Sequence, residues 1–362
     1  MLKEPLSTLP ISPAATSNER ERVLEERKEA VRQAQEKVFE QLDITVPESK
    51  ESSIILNENT SLTENSTVLS SEEKNHNLLL EHQFSILNGF SAHITQEGLQ
   101  DLINSGMVES ISSVKPIKLL LSGSVPLING NDVWNISSNG LNITGINQAV
   151  CVVDTGVDYT HPALGGCTNN SFINGECNKV ISGWDYGNND NDPVDVNSHG
   201  THVAGIVASN DSTYRGVAPG AKIVALKVFT NAGSGSTSNA IAGIDWCISN
   251  SSKFNISIIT LSLAVTDANG NEIFYSSNCD SADTSGLART LSKGAAFGIF
   301  VDASSGNAGN SSGITSPACG ENVTSVGSVT KSDAISGYNA ASILDLLAPG
   351  SSIISTTPTF CF

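Results

Sequence analysis

The chain has 362 residues, 39% of them hydrophobic and 15% charged, which is enough apolar material for a sizeable core and excludes wholesale disorder. Its 19 Lys and Arg stand against 37 Asp and Glu, a net charge of −18; a nucleic-acid binder, which needs a basic stripe to displace counterions, is excluded. No apolar run approaches the roughly 18 residues of a membrane-spanning helix, and MLKEPLSTLPISPAATSNER lacks the apolar centre of a secretory signal.

Residues 1–19 carry Pro, Ser and Thr without periodicity and read as a loose leader. From Glu19 to Leu42 the residues Val23, Leu24, Val31, Val38 and Leu42 recur at helical spacing among charged ones, predicting an amphipathic helix. Residues 48–76 are polar and Ser/Asn/Glu-rich and read as a loop. His82 to Ile94 is strand material interrupted at Asn88-Gly89; Thr95 then caps a helix over Gln96–Asn104, Gly106 stops it, and Met107–Val114 is a further predicted strand. These elements predict a small α+β domain over residues 20–122.

The rhythm changes after residue 122. Val/Ile-rich runs at Ala149–Val153, Lys179–Trp184, Lys222–Phe229, Ile256–Leu263, Phe297–Ala303 and Asn322–Val329 alternate with helical segments at His199–Ser209, Thr237–Ser249 and Ser285–Lys293. Strands apolar throughout, alternating with helices, predict an α/β domain over 123–362: a parallel sheet flanked by helices on both faces. In such sheets the chemistry gathers at the carboxyl ends of the strands.

Seven cysteines are present. Cys167 and Cys177 bracket an Asn/Gly-rich loop with no nearby His to make a zinc site, so they are expected to form a disulfide. Cys247, Cys279 and Cys319 offer a second disulfide of undetermined pairing, Cys151 is expected as a buried small hydrophobe, and Cys361 is uninformative. Ten Asn-x-Ser/Thr sequons, Asn135, Asn142 and Asn255 among them, lean with the cysteines toward an exported protein.

Two strand ends and one helix start carry chemistry. The first exits as Val-Val-Asp154-Thr-Gly156, the next element opens with His199-Gly-Thr-His202, and a third ends in Ser305-Gly-Asn307-Ala-Gly309. His199 and His202 without Cys or Glu partners make a poor zinc site. A carboxylate to orient an imidazole, an imidazole to serve as base and an amide to donate to an oxyanion are the parts of acyl transfer.

These segments resemble the Asp, His and oxyanion-Asn motifs of the subtilisin-like serine proteases, the subtilases. Gly216-Val-Ala-Pro-Gly-Ala-Lys-Ile223, Leu261-Ser-Leu263, Ser316-Pro-Ala318 and Leu347-Ala-Pro-Gly350 extend the resemblance over about residues 125–355. It implies a serine-type endopeptidase with Asp154 and His199 in the triad, Asn307 as oxyanion donor, and protein or peptide substrates. No cofactor is implied for the chemistry. Gly233, Ser234 and Gly235, with Ser262, Leu263 and Ala264, resemble the two segments that hold the substrate backbone as an added strand; a flexible turn is the alternative reading of Gly233–Gly235. Ala264 stands where the family usually has glycine. Asn88-Gly-Phe-Ser-Ala-His-Ile94 and Val108-Glu-Ser-Ile111 are similar to the subtilase propeptide, implying an intramolecular inhibitor with a cleavage point near Leu121–Pro126. Asp185, Asp190, Asp192 and Asp195 form an oxygen-rich loop that suits structural calcium, as many subtilases bind it; ordinary turn composition is the alternative. A monomer, extracellular or at the cell surface, is expected.

In that family the attacking Ser lies in a Gly-Thr-Ser-Met-Ala-type motif shortly after the segment that corresponds to Leu347–Thr357, and here the sequence reads Pro358-Thr-Phe-Cys-Phe362. The nucleophilic Ser is therefore expected to be absent from this chain and the 362 residues inactive alone, truncated at the C-terminus. The alternative to an endopeptidase is a catalytically dead pseudoprotease.

Overall fold

A computed structural model describes residues 17–41, 77–119 and 125–358. Most of the expected leader, the polar stretch 48–76, residues 120–124 of the expected cleavage region and Cys361 lie outside the described residues.

The first helix, α1 (Ser17–Gln41), buries Leu24, Val31 and Val38 along the predicted stripe. Strands β1 (Leu78–Gln83) and β2 (Phe90–Ile94) pair antiparallel, and the Asn88-Gly89 break falls in the 84–89 loop between them. Two polar side chains of α1 close that loop: Arg27 Nε donates to the Ile86 carbonyl at 2.8 Å, and Gln35 Nε2 donates to those of Phe84 and Gly89 at 2.8 and 2.7 Å. Helix α2 (Gln96–Asn104) has the predicted bounds, with Thr95 Oγ1 accepting from the Gly98 N–H at 3.1 Å.

Met107–Val114 does not form the predicted strand. Only Val108 makes a β-bridge there, and the rest of the segment passes two helices of the large domain without ladder pairing. Side chains hold it instead: Arg289 Nη1 donates to Ser110 Oγ at 3.2 Å, and the Lys115 N–H donates to Thr237 Oγ1 at 2.9 Å. The strand of this region is β3 (Pro116–Leu119), just beyond.

The large domain continues with β4 (Ala149–Asp154), β5 (Val180–Asp185), α3 (His199–Ala208), β6 (Lys222–Lys227), β7 (Gly235–Ser236), α4 (Thr237–Ser249), β8 (Ile256–Leu261), β9 (Leu263–Val265), β10 (Phe274–Tyr275), α5 (Leu287–Ala296), β11 (Phe300–Ser304), β12 (Ile314–Thr315), β13 (Thr324–Val329) and β14 (Leu346–Pro349). Seven of these form one sheet in the order β14-β13-β11-β8-β4-β6-β5, every pair parallel. β14 was not among the predicted strands. The predicted run Ile256–Leu263 divides at Ser262 into β8 and β9, which belong to different sheets.

Strand alternation explains why both faces are covered. Ala149, Cys151 and Val153 of β4 point into one core with α4 and α5, while Val150 and Val152 point into a second with α3. β6 divides likewise: Val224 and Leu226 face one way, Ile223 and Ala225 the other.

The Cys167–Cys177 disulfide is present, as is Cys279–Cys319. Cys151 corrects an expectation: it is bonded to Cys247, not a free thiol. It lies on the β4 face that packs against α4, and the two Cα atoms are 6.2 Å apart, within disulfide reach.

Candidate active site

Asp154 is the last residue of β4 and His199 the first of α3. His199 Nδ1 lies 2.6 Å from Asp154 Oδ1, with both side chains buried, and the same oxygen accepts the Thr155 N–H at 2.7 Å. A carboxylate at Nδ1 holds the proton on that nitrogen and leaves Nε2 as the basic position. Gly200 permits the approach. A Cβ there would fall 2.1 Å from the Gly156 carbonyl and 3.1 Å from the Asp154 side chain.

Asp195 sets the first turn of α3. One oxygen accepts the N–H groups of Asn197 and Ser198 at 2.8 and 3.1 Å. The other accepts the N–H and hydroxyl of Thr201 at 2.9 and 2.6 Å. Burial pushes its carboxyl up, opposed chiefly by the Thr201 bonds. His202 faces another way, its Nε2 3.3 Å from the Ile353 carbonyl; burial holds its imidazole below the usual range.

Because β11, β8 and β4 are adjacent and parallel, their carboxyl ends share one edge of the sheet. Asn307, exposed just beyond β11, Ser262 beyond β8, and Asp154 at the end of β4 therefore line that edge.

A second, three-stranded sheet lies beside it. β3 is inserted between β9 and β7, antiparallel to both. Leu119, Lys118 and Ile117 pair with Leu263, Ala264 and Val265, while Ile117 and Pro116 pair with Gly235 and Ser236. The chain's own segment thus occupies the position of an added strand. Of the residues expected to hold such a strand, Leu263, Ala264 and Gly235 do. Gly233 and Ser234 instead lie in a hydrogen-bonded turn, with the Gly233 N–H donating to the Thr230 carbonyl and the Thr230 N–H to the Ser234 carbonyl. Ser262 is the joint between β8 and β9. Val265 and Ser236 extend the pairing and escaped the sequence reading, since neither belongs to a recognisable motif.

A model of the subtilase family matches residues 145–361, more than half of the chain. The chain belongs to the subtilase family. It is 30% identical over 303 residues to serine protease AprX of Bacillus subtilis (strain 168), covering 76% of this chain and 62% of that protein. Thermophilic serine proteinase of Bacillus sp. (strain AK1) is 36% identical over 213 residues, 58% of this chain and 45% of its own length. Thermitase of Thermoactinomyces vulgaris is 35% identical over 236 residues, 64% and 71% of the two chains. A solved cold-adapted subtilisin-like serine proteinase aligns with TM-score 0.45 and 32% identity, over 62% of this chain and 69% of that one. The chain thus spans less than two thirds of the first two relatives.

In this subtilase each of the four carboxylates expected to suit calcium has partners within the protein. Asp185 makes a buried 2.8 Å ion pair with Lys227, and Asp192 accepts from Tyr159 and Asn169 at 2.6 and 2.7 Å. Asp190 accepts the Asp192 N–H at 2.9 Å, and Asp195 caps α3. Among the described residues no group of three or more His, Cys, Asp or Glu gathers around one point.

Proposed function

We propose that this subtilase hydrolyses peptide bonds of protein substrates outside the cell, and that residues up to about 122 inhibit its own site until they are cleaved. The observation that carries the reading is the buried 2.6 Å Asp154–His199 pair at the mouth of the parallel sheet. Asp154 accepts a hydrogen bond from Nδ1–H, which makes Nε2 the nitrogen that takes a proton from a serine hydroxyl and later returns it to the leaving amine. The Asn307 side-chain amide donates to the oxyanion that forms when the hydroxyl adds to the carbonyl. The substrate enters as a strand between β7 and β9, where backbone bonds give affinity without demanding one sequence.

No Gly-Thr-Ser motif occurs in these 362 residues, and Ser304 and Ser305 precede Asn307 on and just after β11, in the wrong setting for a nucleophile. Inhibition is supported by β3, which fills the substrate strand's place. An extracellular setting is supported by the three disulfides.

The test uses the protein expressed from its whole reading frame. It should hydrolyse fluorogenic peptides after processing, with a new N-terminus within Leu121–Pro126. His199→Ala should lower kcat by about 10⁶, the order measured when the triad His is removed from subtilisin. Failure of the processed protein to hydrolyse any of a diverse set of peptides would refute the proposal.

A further inference from the structure

One buried carboxylate next to this edge has no place in the chemistry above. After β9 the chain reverses through Asp267–Asn271: the Asp267 N–H donates to the Asn271 carbonyl at 2.8 Å, and Asp267 Oδ1 accepts the N–H groups of Asn269 and Asn271, both at 2.9 Å. Thr266 and Glu272 bridge antiparallel across the reversal. This return carries Glu272, 6% exposed, into contact with the loop that presents Asn307. Its Oε1 accepts the backbone N–H of Asn307 at 3.1 Å, and its Oε2 accepts Nδ2 of Asn339.

Asn339, fully buried, grips the same loop from the other side. Its N–H donates to the Gly306 carbonyl at 3.0 Å, and its Oδ1 accepts the Asn310 N–H at 2.9 Å. The next residue adds a fourth tie, the Ala340 N–H donating to the Asn310 carbonyl at 2.8 Å. Gly306 is the residue this packing requires. Its φ is +109°, and a Cβ would fall 2.0 Å from Asn339 Nδ2 and 2.6 Å from Glu272 Oε2.

We infer that Glu272 is a positioning residue for the oxyanion donor. Together with Asn339 it fixes the backbone of 306–310, so that the exposed Asn307 amide is held in one place before charge develops. The inference rests on the reading of Asn307 as that donor. A donor on a surface loop is worth little in the transition state unless its backbone is held, because reorganisation at the moment of reaction offsets the gain. Glu272 also lies seven residues beyond β9, so the strand that holds the substrate and the loop that holds the oxyanion donor are joined by one short reversal.

Two measurements test this. In the 362-residue chain, Glu272→Ala should raise amide hydrogen exchange across 305–310 by about tenfold or more while β6 keeps its protection. Glu272→Gln sets an NH₂ group against the NH₂ of Asn339; adding Asn339→Asp supplies an acceptor, and the double variant should recover wild-type exchange. In the protein expressed from its whole reading frame, Glu272→Ala should lower kcat by about tenfold with KM unchanged, and the double variant should recover most of it. Unchanged exchange in Glu272→Ala, exchange that rises equally in β6, or a double variant no better than Glu272→Gln would overturn the inference. Hydrolysis with unaltered kcat in Glu272→Ala would overturn it alone, whereas no hydrolysis by the parent protein would overturn the proposed function and this role with it.

Discussion

Asp302 lies on β11, five residues before Asn307, and its Oδ1 accepts a 2.7 Å hydrogen bond from Thr260 of β8. Desolvation on the sheet face pushes its carboxyl up to about 6 from the ordinary 3.8, opposed by the Thr260 bond. The native state therefore binds more protons than the unfolded chain between pH 4 and pH 6, and stability falls as pH rises through that window. The penalty is fully present above pH 6 and relieved below pH 4. Asp302→Asn keeps an acceptor for Thr260 and removes the charge. It should flatten this slope and raise stability at pH 7–8 by up to about 3 kcal/mol, checked by denaturant unfolding at pH 4, 5, 6 and 7. Equal slopes in the two proteins would contradict it. At this scale Asp154, His199 and Asn307 are legible in the sequence because each stands in a short motif, two at strand ends and His199 at the start of a helix. Glu272 is not: a lone Glu after Asp-Ala-Asn-Gly-Asn reads as loop surface until the reversal brings it to Asn307, 35 residues away.

Helix α4 ties the 84–89 loop of the small domain to the large one. Asp245, buried on α4, accepts three consecutive backbone N–H groups of the 84–89 loop: Ser85 at 2.9 Å, Ile86 at 2.9 Å and Leu87 at 3.0 Å. Ser85 Oγ adds a fourth bond at 2.9 Å. With Arg27 and Gln35 of α1 taking the loop's carbonyls, both kinds of backbone group in the turn are satisfied by side chains. Burial raises the Asp245 carboxyl, opposed by these donors. Asp245→Ala would leave the three N–H groups without their acceptor, each costing about 1–3 kcal/mol if it stays dry. The variant should lose protection at 84–89 and β3 in hydrogen exchange, and a protease should remove the small domain faster. Unchanged protection at both segments would contradict this account. The bounds of α2 and α4 were readable from caps and periodicity. The insertion of β3 was not, because strand addition depends on a cleft assembled from residues more than a hundred positions downstream. Met107–Val114 has strand composition, yet among its residues only Val108 makes a β-bridge. The oxygen-rich loop from Asp185 to Asp195 is ambiguous in sequence, since caps, turns and cation sites draw on the same residues.

Across the whole molecule, alternating apolar runs are sufficient to specify a parallel sheet covered on both faces, and the seven-stranded order follows that reading. The exceptions are long-range. β14 is short and partly exposed, so nothing local marks it as a strand. Cys151 and Cys247 are 96 residues apart, and only packing of β4 on α4 reveals their pairing. The sheet's carboxyl edge then gathers the Asp154–His199 pair, the Asn307 loop and the inserted strand β3, three devices supplied by segments from Pro116 to Asn339. Removing the oxyanion Asn alone costs about 10²–10³ in turnover in subtilisin, so these devices must act together.

The most direct test of that account is reaction with a fluorophosphonate, which labels only an activated serine. The protein expressed from its whole reading frame should be labelled after processing, His199→Ala should abolish the labelling, and the 362-residue chain alone should remain unlabelled. Labelling of the 362-residue chain, or labelling that survives His199→Ala, would contradict it.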